Sequence, residues 1–244
     1  MHTCFDHISY FESLDSSNDY LIELYKSSSV LSPLTIYVDH QIKGRGNMSK
    51  TWFSGKFGLT FSFSINILNQ QFAFDYNMIT TIAIIKLLHN LDIQAYIKYP
   101  NDIVVSGRKI AGVLTEVINV ESKKYAIIGV GLNVNNKLFP NSIQNATSLH
   151  QLLLQTSNKH DIFKSLIFNI KNLMISYCNQ EFDLTKLFLS HLKASHTYVS
   201  AFLKGKKGFF KILHLTRQGI LTIEESGAKC KYTVSSNDIS FVLS

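Results

Sequence analysis

Between residues 95 and 136 the chain strings together AYIKYPND, DIVVSGRKIAGVLTEVI and YAIIGVGLNVNN, and this block limits the fold more than any other. Valine, isoleucine and aromatic side chains dominate it, which predicts three or four strands. Ser106-Gly107-Arg108 interrupts the middle run as a hairpin turn, since glycine accepts the positive φ that a tight turn demands. Helical spacing flanks the block on both sides. Phe74–Leu91 carries Met78, Ile79, Ile82, Ala83, Ile85 and Leu88 at helix-compatible intervals. Residues 148–194 place Ile162, Phe163, Leu166, Ile167, Ile170, Leu173, Met174 and Tyr177 on one buried face. A run of strands set between helices predicts an α+β fold.

Upstream, Ile8–Phe11 is strand-like, and Asp15-Ser16-Ser17-Asn18 supplies candidate N-caps for a helix through Tyr25. LTIYVDHQ (34–41) reads as a β-branched strand, and LTFSFSIN (59–66) alternates apolar and polar as a half-buried strand does. After Ser195 the text changes. Short β-patterned runs (VSAFL, FFKILHL, GILTIEE, KCKYTVS, ISFVL) alternate with glycine or charged turns, which predicts a small barrel. The expected boundary falls near residue 194, giving one unit at 1–194 and a small one at 195–244.

With 244 residues, 45% hydrophobic and 17% charged, the chain can bury a sizeable core and is not a disordered polyelectrolyte. Its net charge of +7 suits an anionic ligand. The lysines are scattered rather than gathered into a nucleic-acid arm, so no nucleic-acid partner is expected. Cys4, Cys178 and Cys230 form no CxxC, which supports neither a disulfide framework nor a zinc site. No apolar run approaches the roughly 18–20 residues that span a bilayer. The N-terminus lacks the basic start and apolar core of a signal peptide, so the expectation is a cytoplasmic protein without a membrane partner.

GRGNMSKT (44–51) would be a phosphate-binding P-loop if Ser49 were glycine. A working P-loop opens directly onto a helix, whereas Gly55 and Gly58 would break one at once. An ordinary surface turn is the simpler reading, because glycine, lysine and serine are turn residues. Trp52 and Phe53 weigh against it, being costly to leave exposed. A third reading is a lid that folds over a charged ligand. The second stretch, KYPNDIVVSGRKIAGVLTE (98–116), places Lys98 near a strand end beside Asn101 and Asp102. Pro100 stops that strand, freeing the ammonium to reach a cleft. A lysine on an edge strand followed by an Asx turn explains the same residues.

The pair of stretches resembles the biotin–protein ligase family. That family's lid pattern Q-x-x-G-R-G-x-x-G-x-x-W is met by Gln41, Gly44, Arg45, Gly46 and Trp52. Its K-W-P-N-D strand is matched by Lys98 through Asp102, and its K-[IL]-A-G-[IV]-L-x-E by Lys109 through Glu116. Gly129, Gly131 and Asn133 match G-x-G-[IL]-N, and Asp15 through Asn18 match D-S-T-N. The motifs cover residues 15–136, and the barrel-like tail covers 196–244. Two departures stand out: the lid's third glycine is Ser49, and Asn47 occupies a position often held by a second arginine. The tail ends Asn237-Asp238-Ile239-Ser240-Phe241-Val242, without the terminal arginine usual there.

The resemblance implies a mixed sheet with packed helices, of the class II synthetase-like kind, plus a C-terminal SH3-like barrel. It also implies a two-step ligase. Biotin and MgATP would give biotinyl-5′-AMP and pyrophosphate, and a lysine of a biotin carboxyl carrier protein would then attack the mixed anhydride. That carrier is expected from acetyl-CoA carboxylase or a similar biotin-dependent carboxylase. Lys98 would bridge the two anions, and Arg45 would clamp carboxylate or phosphate. Ser16, Ser17, Asn18 and Gln41 match positions around the biotin head, with Gly46 and Asn47 wrapping the ligand. Gly44, Trp52, Asn101, Gly112 and Asn133 would serve the nucleotide. The pattern starts within about a dozen residues of Met1, so the expectation is a monofunctional ligase without a DNA-binding domain. Pairing of two chains through their sheets is also implied. The nearest rival, a lipoate or octanoate ligase or transferase of the same fold, lacks the G-R-G…W lid paired with K-[WY]-P-N-D.

Overall fold

The computed structural model describes residues 5–27, 32–47, 50–68, 71–228 and 230–242. Cys4 and Ser49 lie outside the described residues. Strand β1 (Ile8–Leu14) leads into helix α1 (Ser17–Lys26), and the Ser16 hydroxyl accepts the Asp19 amide at 3.3 Å. A side-chain oxygen at that position satisfies an amide the first turn leaves orphaned, so the Asp15–Asn18 run fixes where the helix begins. Strand β2 (Thr35–Gln41) pairs parallel with β1 and antiparallel with β3 (Leu59–Asn66). Helix α2 (Ala73–His89) is buried almost all round.

Four strands follow: β4 (Tyr96–Lys98), β5 (Asp102–Val105), β6 (Arg108–Val120) and β7 (Lys123–Leu132), each antiparallel to the next. The turn between β5 and β6 carries positive φ at both Ser106 (46°) and Gly107 (73°), the hairpin geometry that glycine makes affordable. The resulting seven-stranded sheet has the order β1-β2-β3-β7-β6-β5-β4. Its two faces are covered differently. On one, Leu21 and Tyr25 of α1 pack on Ile36, Val38, Ile118 and Ile127. On the other, α2 and α4 (Lys159–Cys178) bury Phe61, Phe63, Ile128 and Val130. Short helices α3 (Leu149–Leu153), α5 (Leu184–Ser190) and α6 (Lys193–His196) complete the helical layer.

The half-buried reading of β3 needs correction. Thr60, Ser62 and Ser64 are buried along with the apolar residues, because α1 and the loop after β2 cover that face. Their hydroxyls find internal partners: Thr60 donates to the Val38 carbonyl at 2.7 Å, and Ser64 meets the Tyr25 hydroxyl at 2.8 Å.

The C-terminal strands are β8 (Val199–Leu203), β9 (Lys206–Leu215), β10 (Leu221–Glu225), β11 (Lys231–Val234) and β12 (Ile239–Phe241). They form an antiparallel five-stranded sheet of order β11-β10-β9-β8-β12, as an SH3-like unit does. Residue 194 falls inside α6, and one apolar cluster runs from Phe188 and Leu192 to Val199, Phe210 and Ile239. Among the described residues no helix is long and apolar enough to cross a membrane.

Candidate active site

A cavity of about 780 Å³ opens on the α1 face of the sheet, where glycines replace side chains. Gly112 of β6 pairs directly with Gly131 of β7, and the Trp52 indole lies over both. A Cβ on Gly112 would stand 3.4 Å from the indole Cζ3, and one on Gly131 would fall inside the ring. At Gly129 a Cβ would meet the Asn18 amide carbon at 3.1 Å. At Gly129 and Gly131 the sheet therefore stays bare because its backbone is approached too closely for a side chain, while at Gly112 the space is tight but not closed.

A polar chain runs along one rim. The Ser17 amide and hydroxyl both donate to Gln41 Oε1, at 2.7 and 2.9 Å. The Ser17 and Ser62 hydroxyls lie 2.6 Å apart, and Ser62 donates to Asn18 Oδ1 at 2.6 Å. Asn18 Nδ2 in turn donates to Glu116 Oε2 at 2.9 Å. Ser17, Asn18 and Ser62 are buried, Gln41 is half-buried, and all are mutually oriented, so the rim can offer donors and acceptors to a polar, uncharged ring without leaving a charge unpaired.

Arg45 closes the same chain. Its Nη2 donates to both Glu116 oxygens at 2.9 and 2.8 Å, and its Nε donates to Asp19 at 3.0 Å. Burial works against this charge, yet the hydrogen bonds of Asp19 and Glu116 outweigh it and hold the guanidinium above its ordinary value. With both faces of its fork occupied, Arg45 anchors the loop to α1 and β6 instead of presenting a free clamp. The Gly46 amide donates to the Lys50 carbonyl at 2.6 Å, and Arg45 bridges Thr51, so residues 45–46 lie directly against residues 50–51.

Lys98 ends β4, opposite Asp102, and is half-buried at the cavity wall. Burial depresses its ammonium below the ordinary lysine value; Lys109 and Lys50 add to this, and Asp102 opposes it. Lys109 is ion-paired to Asp102 at 2.5 Å, and its Nζ sits 5.4 Å from the centre of the Trp52 ring, a cation–π contact. The Tyr99–Pro100 peptide is cis. Asn101 donates to the Val113 carbonyl at 2.6 Å, fixing the turn after β4.

The far wall comes from the C-terminal sheet. The Tyr99 hydroxyl donates to the Gly219 carbonyl at 2.5 Å, and Gln218, Gly219, Asn237 and Ser240 line the cavity. Arg217 holds this turn in place through the fully buried Asp75, with Nε–Oδ1 at 3.0 Å and Nη2–Oδ2 at 2.6 Å.

The structure thus brings Ser16, Ser17, Asn18, Gln41, Arg45, Gly46, Asn47, Trp52, Lys98, Asn101 and Gly112 around one cavity. Two expected residues stand apart. Gly44 lies behind the loop, where its carbonyl accepts the Trp52 amide at 2.8 Å. Asn133 turns away and donates to the Thr147 carbonyl at 2.9 Å, pinning the segment before α3. Sequence reasoning placed Lys50 in the 44–51 motif without giving it a place in the site, and it missed the Gln218–Gly219 turn and the tie of Arg45 to Asp19 and Glu116. Of the two that were missed, only the turn has a local signal, Gly219 with its φ of +82°.

A mixed sheet with a bare glycine floor, a polar rim and a basic loop thus encloses the cavity. The chain belongs to the biotin/lipoate A/B protein ligase family, whose model matches residues 10–133. It is 28% identical over 228 residues to the bifunctional ligase/repressor BirA of Bacillus subtilis (strain 168), covering 89% of this chain and 69% of that protein. With the biotin–[acetyl-CoA-carboxylase] ligase of Mycobacterium tuberculosis it shares 23% identity over 172 residues, 67% of this chain and 62% of that one. The fold is that of the Aquifex aeolicus biotin protein ligase solved in complex with biotin and ATP. The TM-score is 0.78 at 23% identity, covering 98% of this chain and 100% of that one.

Proposed function

We propose that this chain is an ATP-dependent biotin–protein ligase. The observation that carries the reading is the half-buried ammonium of Lys98, facing the same cavity as the neutral rim of Ser17, Asn18 and Gln41. In the first step a biotin carboxylate oxygen attacks the α-phosphorus of ATP; that P–O bond forms as the bond to the departing pyrophosphate breaks. Two anions must meet, so a fixed cation between them lowers the barrier by stabilising the charge on the transferring group. Lys98 takes that place. The rim holds the ureido head, whose carbonyl and N–H groups need neutral partners. The glycine floor and Trp52 receive the flat parts of the ligands. In the second step a carrier-protein lysine attacks the acyl carbon, forming the amide and releasing AMP. A biotin carboxyl carrier protein of acetyl-CoA carboxylase or a similar carboxylase is the acceptor.

Magnesium enters with the nucleotide. Among the described residues no cluster of three His, Cys, Asp or Glu can hold a metal, and Asp102 is the only carboxylate on the cavity wall. That donor set fits an ion held mainly by phosphate oxygens.

Mass spectrometry of the purified protein after incubation with biotin and MgATP tests the reading. Bound biotinyl-adenylate is the expected product. An adenylate formed from lipoate or octanoate but not from biotin would favour the rival acyl ligase of the same family, and no adenylate from any of these acids would reject both.

A further inference from the structure

We infer that the seam between the two sheets holds a second ligand site, one that takes a small carboxylic acid with an apolar body. The site would be there whichever acid the main cavity activates. A cavity of about 210 Å³ lies between β4 and β5 of the large sheet on one side and α6, β8 and β12 on the other. Of the described residues, only Lys98 and Tyr99 line both this cavity and the active one, so the end of β4 is the partition between them. The inner walls are the buried side chains of Ile97, Val104, Leu192, Val199 and Phe241. A protein interior leaves few voids larger than a water molecule, and an apolar cavity of roughly 150 Å³ already takes benzene. This one has room for a single ring with a short substituent.

The mouth is polar and of one kind. Gln94, Tyr96, Ser106 and Lys193 stand there, all exposed, and each side chain can donate a hydrogen bond. Among the described residues no aspartate or glutamate lines the cavity. Donors and a cation without a carboxylate complement an anion. A carboxylate at the mouth would meet them, whereas one sunk among the aliphatic walls would be stranded without partners. The ligand that satisfies both halves is an aromatic or short branched acid, its apolar body inside and its carboxylate at the rim. Such a ligand touches both sheets, with Ile97 and Val104 on one side and Val199 and Phe241 on the other. The unfolded chain has no such seam, so binding adds to stability by mass action.

The test uses the full chain, with para-fluorobenzoate as the probe and para-fluorobenzyl alcohol as its neutral counterpart, both followed by fluorine NMR. The acid should bind with a Kd of about 1 mM or tighter, within reach of a ligand of this size. The alcohol should bind at least about threefold more weakly. At about ten times its Kd the acid should raise Tm by roughly 3–6 °C. Saturating biotin and MgATP should leave the bound signal in place. Ala194 and Val199 line the cavity, so Ala194→Leu and Val199→Leu should fill it and each weaken the acid by about tenfold or more. Lys193→Met should weaken the acid by about fivefold and leave the alcohol unchanged, and this exposed position decides the matter should neither filling variant fold. No binding of the acid at about 10 mM, or its displacement by biotin and MgATP, would overturn the site. Parental affinity in the folded filling variants would do the same. An alcohol bound as tightly as the acid, or an unchanged Lys193→Met, would overturn the carboxylate. Wild-type protein that forms no biotinyl-adenylate would sink the ligase reading and leave this site standing.

Discussion

Lys98 serves the proposed reaction only while protonated, and most of its surroundings oppose that. Burial pushes the ammonium down first and the charges of Lys109 and Lys50 push it further, with Asp102 alone pulling it up. Because the charged form is the working one, a depressed value cuts activity from the alkaline side. Adenylate formation should therefore decline at a lower pH than an ordinary lysine would dictate, as a pyrophosphate-exchange profile above neutrality would reveal. Lys98→Ala should lower the rate by about 100-fold or more, the scale expected when one transition-state charge is removed; near-parental exchange in that variant would refute the role. Lys98 was legible because strand, proline and neighbours fixed its place. Arg45 was legible as a loop arginine but not in its employment, since Asp19 and Glu116 lie 26 and 71 residues away. Only the fold brings those carboxylates to it.

At the scale of elements, the glycine floor makes a sharper demand than the strands themselves. Gly131→Ala would drive its methyl into the indole of Trp52, which must then leave the floor. Trp52 is the only tryptophan in the chain, so its fluorescence reports the event directly. The variant should keep a parental far-UV circular dichroism spectrum while its emission shifts to the red. Biotin and ATP binding should weaken by about tenfold, or roughly 1.4 kcal/mol. An unshifted spectrum would mean the floor tolerates a side chain. Strand and helix positions were largely legible from period and caps, and the Ser106–Gly107 hairpin was found where its turn residues put it. β3 was misjudged for a physical reason. Period-2 alternation says which residues share a face, but serine and threonine look alike whether water or Asn18 and Tyr25 satisfy them.

Across the whole molecule, the two sheets share one apolar cluster and a polar tie. Arg217 reaches from the β9–β10 turn to Asp75 of α2, where Tyr177 also donates to the carboxylate at 2.8 Å. Arg217→Ala would leave that buried carboxylate short of partners. The loss should be about 2 kcal/mol, at the low end for a buried pair because water screens the exposed side of the guanidinium. For a chain of this size that lowers Tm by roughly 4–8 °C in calorimetry. The continuous cluster further predicts one cooperative unfolding transition, with the calorimetric and van't Hoff enthalpies in agreement. Two resolved transitions would show that the sheets unfold independently. None of this coupling was legible, because a change of strand pattern near residue 194 marks a change of architecture, not a break in the core.

The hydrogen bond from Tyr99 to Gly219 spans 120 positions of sequence. A ribosome will thus have finished the lysine strand, the rim and the glycine floor long before it delivers the segment that walls them in. Without the wall that this late segment supplies, the cavity would be an open dish and an anhydride formed in it would be exposed to water.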